Sequence, residues 1–209
     1  MIPSISPTDG RVVAEYRETP APEVQEHIDT AANLQREWEG TSIDDRAVPM
    51  MRMAELLEAN RDGLAVLMAD EMGKPVAQGR GEVDKCAWVC RHYAENTERI
   101  LAEDHIAADR TKSYVAYRPL GVVLAVMPWN FPLWQVYRFL APALMAGNGG
   151  ILKHASNVTG CALEIDRLAV EAGFPDGLFR SLVLPSSRVD EVLEHPSIVA
   201  ATLTGSDPA

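Results

Sequence analysis

Cysteine is scarce and odd in number: three residues, Cys86, Cys90 and Cys161, in a chain of 209. That excludes a disulfide-built scaffold and suits reduced thiols in a reducing compartment. No uninterrupted apolar run of about 18 residues occurs, so no membrane span is expected. The first ten residues lack a basic stretch followed by an apolar core, which argues against a secretory signal. Basic residues are in the minority, 19 Lys and Arg against 30 Asp and Glu, for a formal net charge of -11. Binding to phosphate backbones needs clustered Lys and Arg, so nucleic acid is not an expected partner. The acid surplus favours solubility. Internal repeats, low-complexity linkers and an early Gly-x-Gly-x-x-Gly after a first strand are also missing, and no metal is expected. A cytoplasmic location follows as the expectation.

What is present fits a globular chain: 47% hydrophobic and 23% charged residues. Residues 21–102 carry a helical pattern. Val24, Ile28, Ala31, Ala32 and Leu34 recur at helix spacing, with Pro22 in the first turn. Residues 44–60 and 79–100 give two more amphipathic helices, the latter with Val83, Cys86, Ala87, Cys90 and Tyr93 on one stripe. Between them, Gly73 and Pro75 stop a helix. Near Thr111 the period changes. Alternation over residues 113–118 predicts a strand, and the continuous apolar run 121–127 predicts one buried on both faces. Pro132 opens a helix ending at Gly147. Residues 150–153 predict a strand, 158–172 a helix closed by Gly173, 181–184 a strand, 187–194 a helix and 198–203 a strand.

That alternation predicts an α/β fold: a doubly wound, Rossmann-like parallel sheet, preceded by a helical N-terminal region. The last residues follow a strand where a helix should begin, which reads as a truncated chain.

Ligands of open α/β sheets bind beyond the carboxyl ends of the strands. Three such ends carry polar or aromatic residues: Pro128-Trp129-Asn130-Phe131-Pro132, Lys153-His154-Ala155-Ser156 and Thr204-Gly205-Ser206. All three should share one sheet edge. The two prolines rigidify the turn around Asn130. A rigidly held amide donor can stabilise a developing oxyanion, worth about 3 kcal/mol. Asn130 could equally cap the helix that follows. Lys153 has no apparent acidic partner; on its residue chemistry it is either a ligand contact or a solvated strand-end lysine. Ser206 and Gly205 open a helix, which suits a phosphate or a plain N-cap. His154 reads as incidental. Gly147-Asn148-Gly149-Gly150 precedes its strand, so it is a turn and not a dinucleotide fingerprint. Arg138 lies eight residues after Asn130, about two helical turns on, toward the same mouth; it is either a carboxylate anchor or half of a surface ion pair.

The stretch from Gly121 through Pro132 resembles the signature of the aldehyde dehydrogenase superfamily. Glu71-Met72-Gly73-Lys74-Pro75, the Lys153 segment and Thr204-Gly205-Ser206 match in order and approximate spacing. The resemblance runs from about Pro7 onward and covers roughly the first half of the family's usual length. Around Trp129 and Lys153-His154-Ala155-Ser156-Asn157 the chain is most similar to bacterial succinate-semialdehyde dehydrogenases. The resemblance implies oxidation of a small-molecule aldehyde, succinate semialdehyde, to its acid with NADP or NAD. In such enzymes a Cys thiolate attacks the aldehyde, hydride passes to the nicotinamide, and a Glu-activated water hydrolyses the thioester. Asn130 would then donate to the oxyanion, and Trp129 and Gly205-Ser206 would line the pyrophosphate site. Lys153 and Ser156 would meet the adenosine ribose. Relatives that prefer NAD often carry Glu at the Ser156 position, which would repel a 2′-phosphate. Arg138 would anchor the substrate carboxylate.

The nucleophilic Cys and the Glu of the family lie beyond the third motif, so the chain alone is expected to be inactive. The alternative is a non-catalytic remnant or a structural partner of full-length subunits. By the same resemblance, residues 1–110 are the helical part of the cofactor-binding domain, 111–120 an oligomerisation-arm strand and 121–209 the Rossmann-like part, with the catalytic domain absent. The full-length form would be a homo-oligomer. One departure is Leu184-Pro185-Ser186-Ser187, where relatives often carry a Gly-containing turn near the pyrophosphate.

Overall fold

A computed structural model describes residues 1–107 and 111–205. The chain opens with a hairpin, β1 (Ile2–Ile5) antiparallel to β2 (Val12–Tyr16). Sequence periodicity did not reveal it. The strands have four and five residues, and the fully buried member of β1 is a serine, Ser4. No apolar alternation was there to read.

Four helices follow: α1 (Ala21–Trp38), α2 (Ile43–Ala59), α3 (Arg61–Met72) and α4 (Val76–Ile100). The Ser42 hydroxyl accepts the Asp45 N–H at 3.1 Å and starts α2. Gly73, at φ 75°, closes α3, which accounts for the predicted stop there. The strand predicted over residues 113–118 is shorter in the fold. Only β4 (Tyr114–Val115) is paired, against β3 (Asp104–His105). Both residues of β4 are exposed, so burial adds little to extend the ladder. Among the described residues no helix is long and apolar enough to cross a membrane.

The predicted doubly wound parallel sheet is present. It contains β5 (Val122–Met127), β6 (Gly149–His154), β7 (Phe179–Leu182) and β8 (Ile198–Leu203) in the order β7-β6-β5-β8. All neighbouring pairs run parallel. The crossovers are α5 (Trp134–Met145), α6 (Thr159–Ala172) and α7 (Asp190–Leu193), the last preceded by a 3-10 turn at Ser186–Arg188. β7 begins earlier than the predicted 181–184; Leu184 is buried but lies past the paired residues.

Successive strand residues face opposite layers. Val122 and Leu124 pack on Val24, Ile28 and Ala31 of α1. Ala125 and Met127 join the larger core built from α2 to α6. The chain winds outward from β5 to β7, then crosses back to lay β8 on the other side of β5. This reversal opens a crevice at the carboxyl ends of β5 and β8, where doubly wound sheets bind ligands.

Candidate functional site

A cleft of about 860 Å³ lies at that reversal. Trp129, Asn130, Lys153, Ser156 and Gly205 all line it. The three strand ends marked in the sequence therefore meet. Ser206 lies outside the described residues.

Asn130 is exposed, and its side chain makes no hydrogen bond to any described residue. It does not cap α5, whose first turn has no capping bond from its own N-cap residue, Leu133. That work falls to Glu82 on α4. Its Oε1 accepts the N–H groups of Leu133 and Trp134, each at 2.9 Å. The same carboxylate pairs with Lys74, and both side chains are buried. Glu71 does the same for α6, accepting the N–H groups of Gly160 at 2.8 Å and Cys161 at 2.9 Å. Two positive helix ends on this edge are thus closed by internal carboxylates, which repel any incoming anion.

His154 is not incidental. It is buried, with Nε2 2.8 Å from the Pro132 carbonyl and Nδ1 2.9 Å from the Ala155 N–H. A neutral ring protonated on Nε2 satisfies these two contacts and leaves the bare Nδ1 3.2 Å from the Met127 carbonyl. Burial lowers its pKa to about 4, outweighing the opposing effect of the nearby carbonyls.

Lys153 is 5% exposed, and its Nζ donates to Ser186 Oγ at 3.1 Å. Among the described residues it has no ion pair, and burial lowers its pKa from the usual lysine value. The Leu184-Pro185-Ser186-Ser187 departure therefore supplies a hydroxyl to the cleft. Asp190 of α7 also lines it. Gln135, in the first turn of α5, lines the cleft as well, and its Oε1 is buried without a hydrogen-bond partner. Asp190 and Gln135 were not singled out from the sequence, and Ser186 was noted only as part of that departure.

Arg138 lies next to the cleft. It borders a neighbouring shallow depression with Met127, Phe139 and Thr202. It is exposed, forms no ion pair among the described residues, and donates to Thr204 Oγ1 at 2.8 Å. Thr204 lines the cleft, so Arg138 reaches the cleft rim through that bond. The three cysteines are fully buried away from the cleft. Burial pushes all three thiols up, which makes them poor nucleophiles.

A parallel sheet reversed at β5, with a cleft on its carboxyl edge, defines a dinucleotide-binding class of fold. The aldehyde dehydrogenase family model matches residues 1–209, and the chain belongs to that family. It is 46% identical over 211 residues to a protein of Mycobacterium tuberculosis named succinate-semialdehyde dehydrogenase (NADP+) 1. The match spans all of this chain and 46% of that relative. A Mycobacterium avium succinate-semialdehyde dehydrogenase (NADP+) is 46% identical over 214 residues, with 45% of its length covered. Among solved structures, succinic semialdehyde dehydrogenase from Streptococcus pyogenes in complex with NADP+ superposes with a TM-score of 0.93 at 29% identity. That match covers 96% of this chain and 44% of the other. An NAD-dependent benzaldehyde dehydrogenase from Corynebacterium glutamicum gives a TM-score of 0.91 at 27% identity, over 99% of this chain and 46% of the other. The chain spans about half the length of the relatives it matches.

Proposed function

We propose that this chain is the nucleotide-binding portion of an aldehyde dehydrogenase that oxidises succinate semialdehyde to succinate with NADP. The single observation that carries the reading is Lys153: a buried cation with no acid partner among the described residues, opening on a cleft at the sheet reversal. A buried unpaired ammonium is costly. A 2′-phosphate on the adenosine ribose would supply the missing charge, and the hydroxyls of Ser186 and Ser156 are present to share it. Serine at position 156 adds no negative charge against that phosphate. Carboxylates already occupy the helix ends at α5 and α6, so the pyrophosphate fits best at the turn through Gly205, beside Trp129.

Bound NADP supplies the hydride acceptor. The residues here bind and orient. Lys153 and Ser156 hold the adenosine end. The Asn130 amide N–H, free of bonds to the described residues, donates to the substrate oxygen as it becomes an oxyanion. Arg138, held at the rim by Thr204, receives the far carboxylate of the substrate. Cys86, Cys90 and Cys161, all buried away from the cleft, do not serve as the nucleophilic thiolate in this reading. That burial also favours the second reading, a chain that binds nucleotide without turning it over.

The test is a fluorescence titration of the chain with NADPH and with NADH. NADPH should bind more tightly. Lys153→Met should weaken NADPH by about tenfold or more, the scale of a lost charge-assisted hydrogen bond, and NADH much less. Equal losses for both nucleotides would remove the 2′-phosphate assignment.

A further inference from the structure

The turn carrying Asn130 is held residue by residue, while its own amide bonds to none of the described residues. The ammonium of Lys74 lies 4.0 Å from the centre of the Phe131 ring. Nε2 of His154 reaches the Pro132 carbonyl at 2.8 Å. Oε1 of Glu82 accepts the Leu133 and Trp134 N–H groups. Four consecutive residues after Asn130 are thus tied, each by a side chain that is itself buried: Lys74 is 6%, Glu82 5% and His154 5% exposed. Lys74 and Glu82 are also bonded to each other. The ties come from α3's closing turn, α4 and the end of β6, so three separate parts of the chain converge on one turn.

A helix start needs no such apparatus. A Ser, Thr, Asp or Asn at the N-cap satisfies the first N–H groups at the surface. Burying an ion pair instead carries a large desolvation cost, recovered only with good geometry and further hydrogen bonds. Glu82 meets that condition by bonding both Lys74 and the α5 backbone. What the arrangement adds over a simple cap is a fixed path for residues 131–134.

We infer that Lys74, Glu82 and His154 are positioning residues for the site: their buried cluster fixes the turn and so aims Asn130 and Trp129 into the cleft. They touch neither substrate nor nucleotide. The inference rests on the proposed function only for what Asn130 does once aimed.

The test uses the ¹⁵N-labelled 209-residue chain, observing the Asn130 side-chain amide and the Trp129 indole N–H by NMR, with NADPH affinity measured alongside. Glu82→Gln is compared with Glu71→Gln, an equally buried carboxylate that accepts two N–H groups at the start of α6 instead. Glu82→Gln should shift the Asn130 and Trp129 signals and weaken NADPH binding by about tenfold, the equivalent of one hydrogen bond. Glu71→Gln should lower the melting midpoint comparably and leave the Asn130 signal in place. If Glu82→Gln does not fold, Lys74→Met/Glu82→Gln removes both charges together and should fold with the same signals shifted. Unmoved Asn130 and Trp129 signals in a folded Glu82 variant overturn the inference, as does an equal shift from Glu71→Gln. A wild-type chain that binds no NADPH would remove the proposed function, while the signal comparison would still decide the positioning role.

Discussion

Glu71 and Gly160 are in direct contact, and the contact leaves no room for a side chain. A Cβ at position 160 would come 2.8 Å from Glu71 Oε1 and 2.6 Å from Tyr16 Oη. Three elements meet there: the hairpin through Tyr16, α3 through Glu71 and the start of α6. Burial, reinforced by the Glu71 charge, raises the Tyr16 pKa to about 12, so the phenol stays a neutral donor. Gly160→Ala sets two effects against each other. Alanine is the better helix former by about 1 kcal/mol. Displacing Glu71 strands two buried N–H donors, at about 1–3 kcal/mol each. The loss wins, and the variant should be destabilised by about 1–5 kcal/mol. Urea denaturation checks it; an unchanged or raised midpoint would show that Glu71 and Tyr16 move aside freely.

Gln135 offers a change of opposite sign. Its Oε1 is buried with no donor among the described residues. An unsatisfied buried carbonyl costs about 1–3 kcal/mol, and an apolar group of similar shape does not bear that cost. Gln135→Met should therefore raise stability by about 1 kcal/mol. The same urea series reads it. A fall in the midpoint would mean that the amide has a partner, such as an ordered water.

The elements legible in the sequence were those with a repeated pattern or a punctuating Pro or Gly. α1, α2 and α4 show apolar residues at helical spacing, α5 and α6 are bounded by Pro132, Gly147 and Gly173, and β5 is an unbroken apolar run. β7 was displaced because Phe179, Leu182 and Leu184 are all buried without simple alternation. In the cleft, Asn130, Lys153 and Gly205 were legible because strand ends lie on one edge by topology alone. Glu82 was not. It meets Leu133 from 51 residues away, and no local spacing encodes that contact. The same holds for Ser186, which is 33 residues from Lys153. The sequence offered Asn130 as either a cap or a donor, and the capping of α5 by Glu82 removes the first of these.

Arg138 should discriminate between substrates. Its guanidinium is oriented by Thr204 and is not engaged in an ion pair among the described residues. In an enzyme containing this segment together with its nucleophile, Arg138→Ala should raise KM for a carboxylated aldehyde by about tenfold or more. For a neutral aldehyde of similar length, KM should stay within about twofold, since uniform binding of the chain is untouched. Steady-state kinetics on both substrates decide it. Equal effects would reduce Arg138 to a tie between α5 and the turn after β8.

His154 should leave a signature in the acid limb of stability. Burial lowers its pKa to about 4 in the fold, against about 6.5 in an unfolded chain. The folded state therefore binds fewer protons than the unfolded state between those two values. The contribution of neutral His154 is fully present above pH 6.5 and is lost as pH falls toward 4. The total is on the order of 3 kcal/mol, with a limiting slope of about 1.4 kcal/mol per pH unit. Carboxylates also titrate below about pH 5, so the clean interval is pH 6.5 to 5. His154→Asn should be less stable than wild type at pH 7, because the Pro132 carbonyl loses its donor, yet its stability should change less over that interval. Urea midpoints at pH 7, 6 and 5 for both proteins supply the comparison. Parallel curves would mean that the ring already carries its proton in the fold, and that the bond to Pro132 is made by an imidazolium.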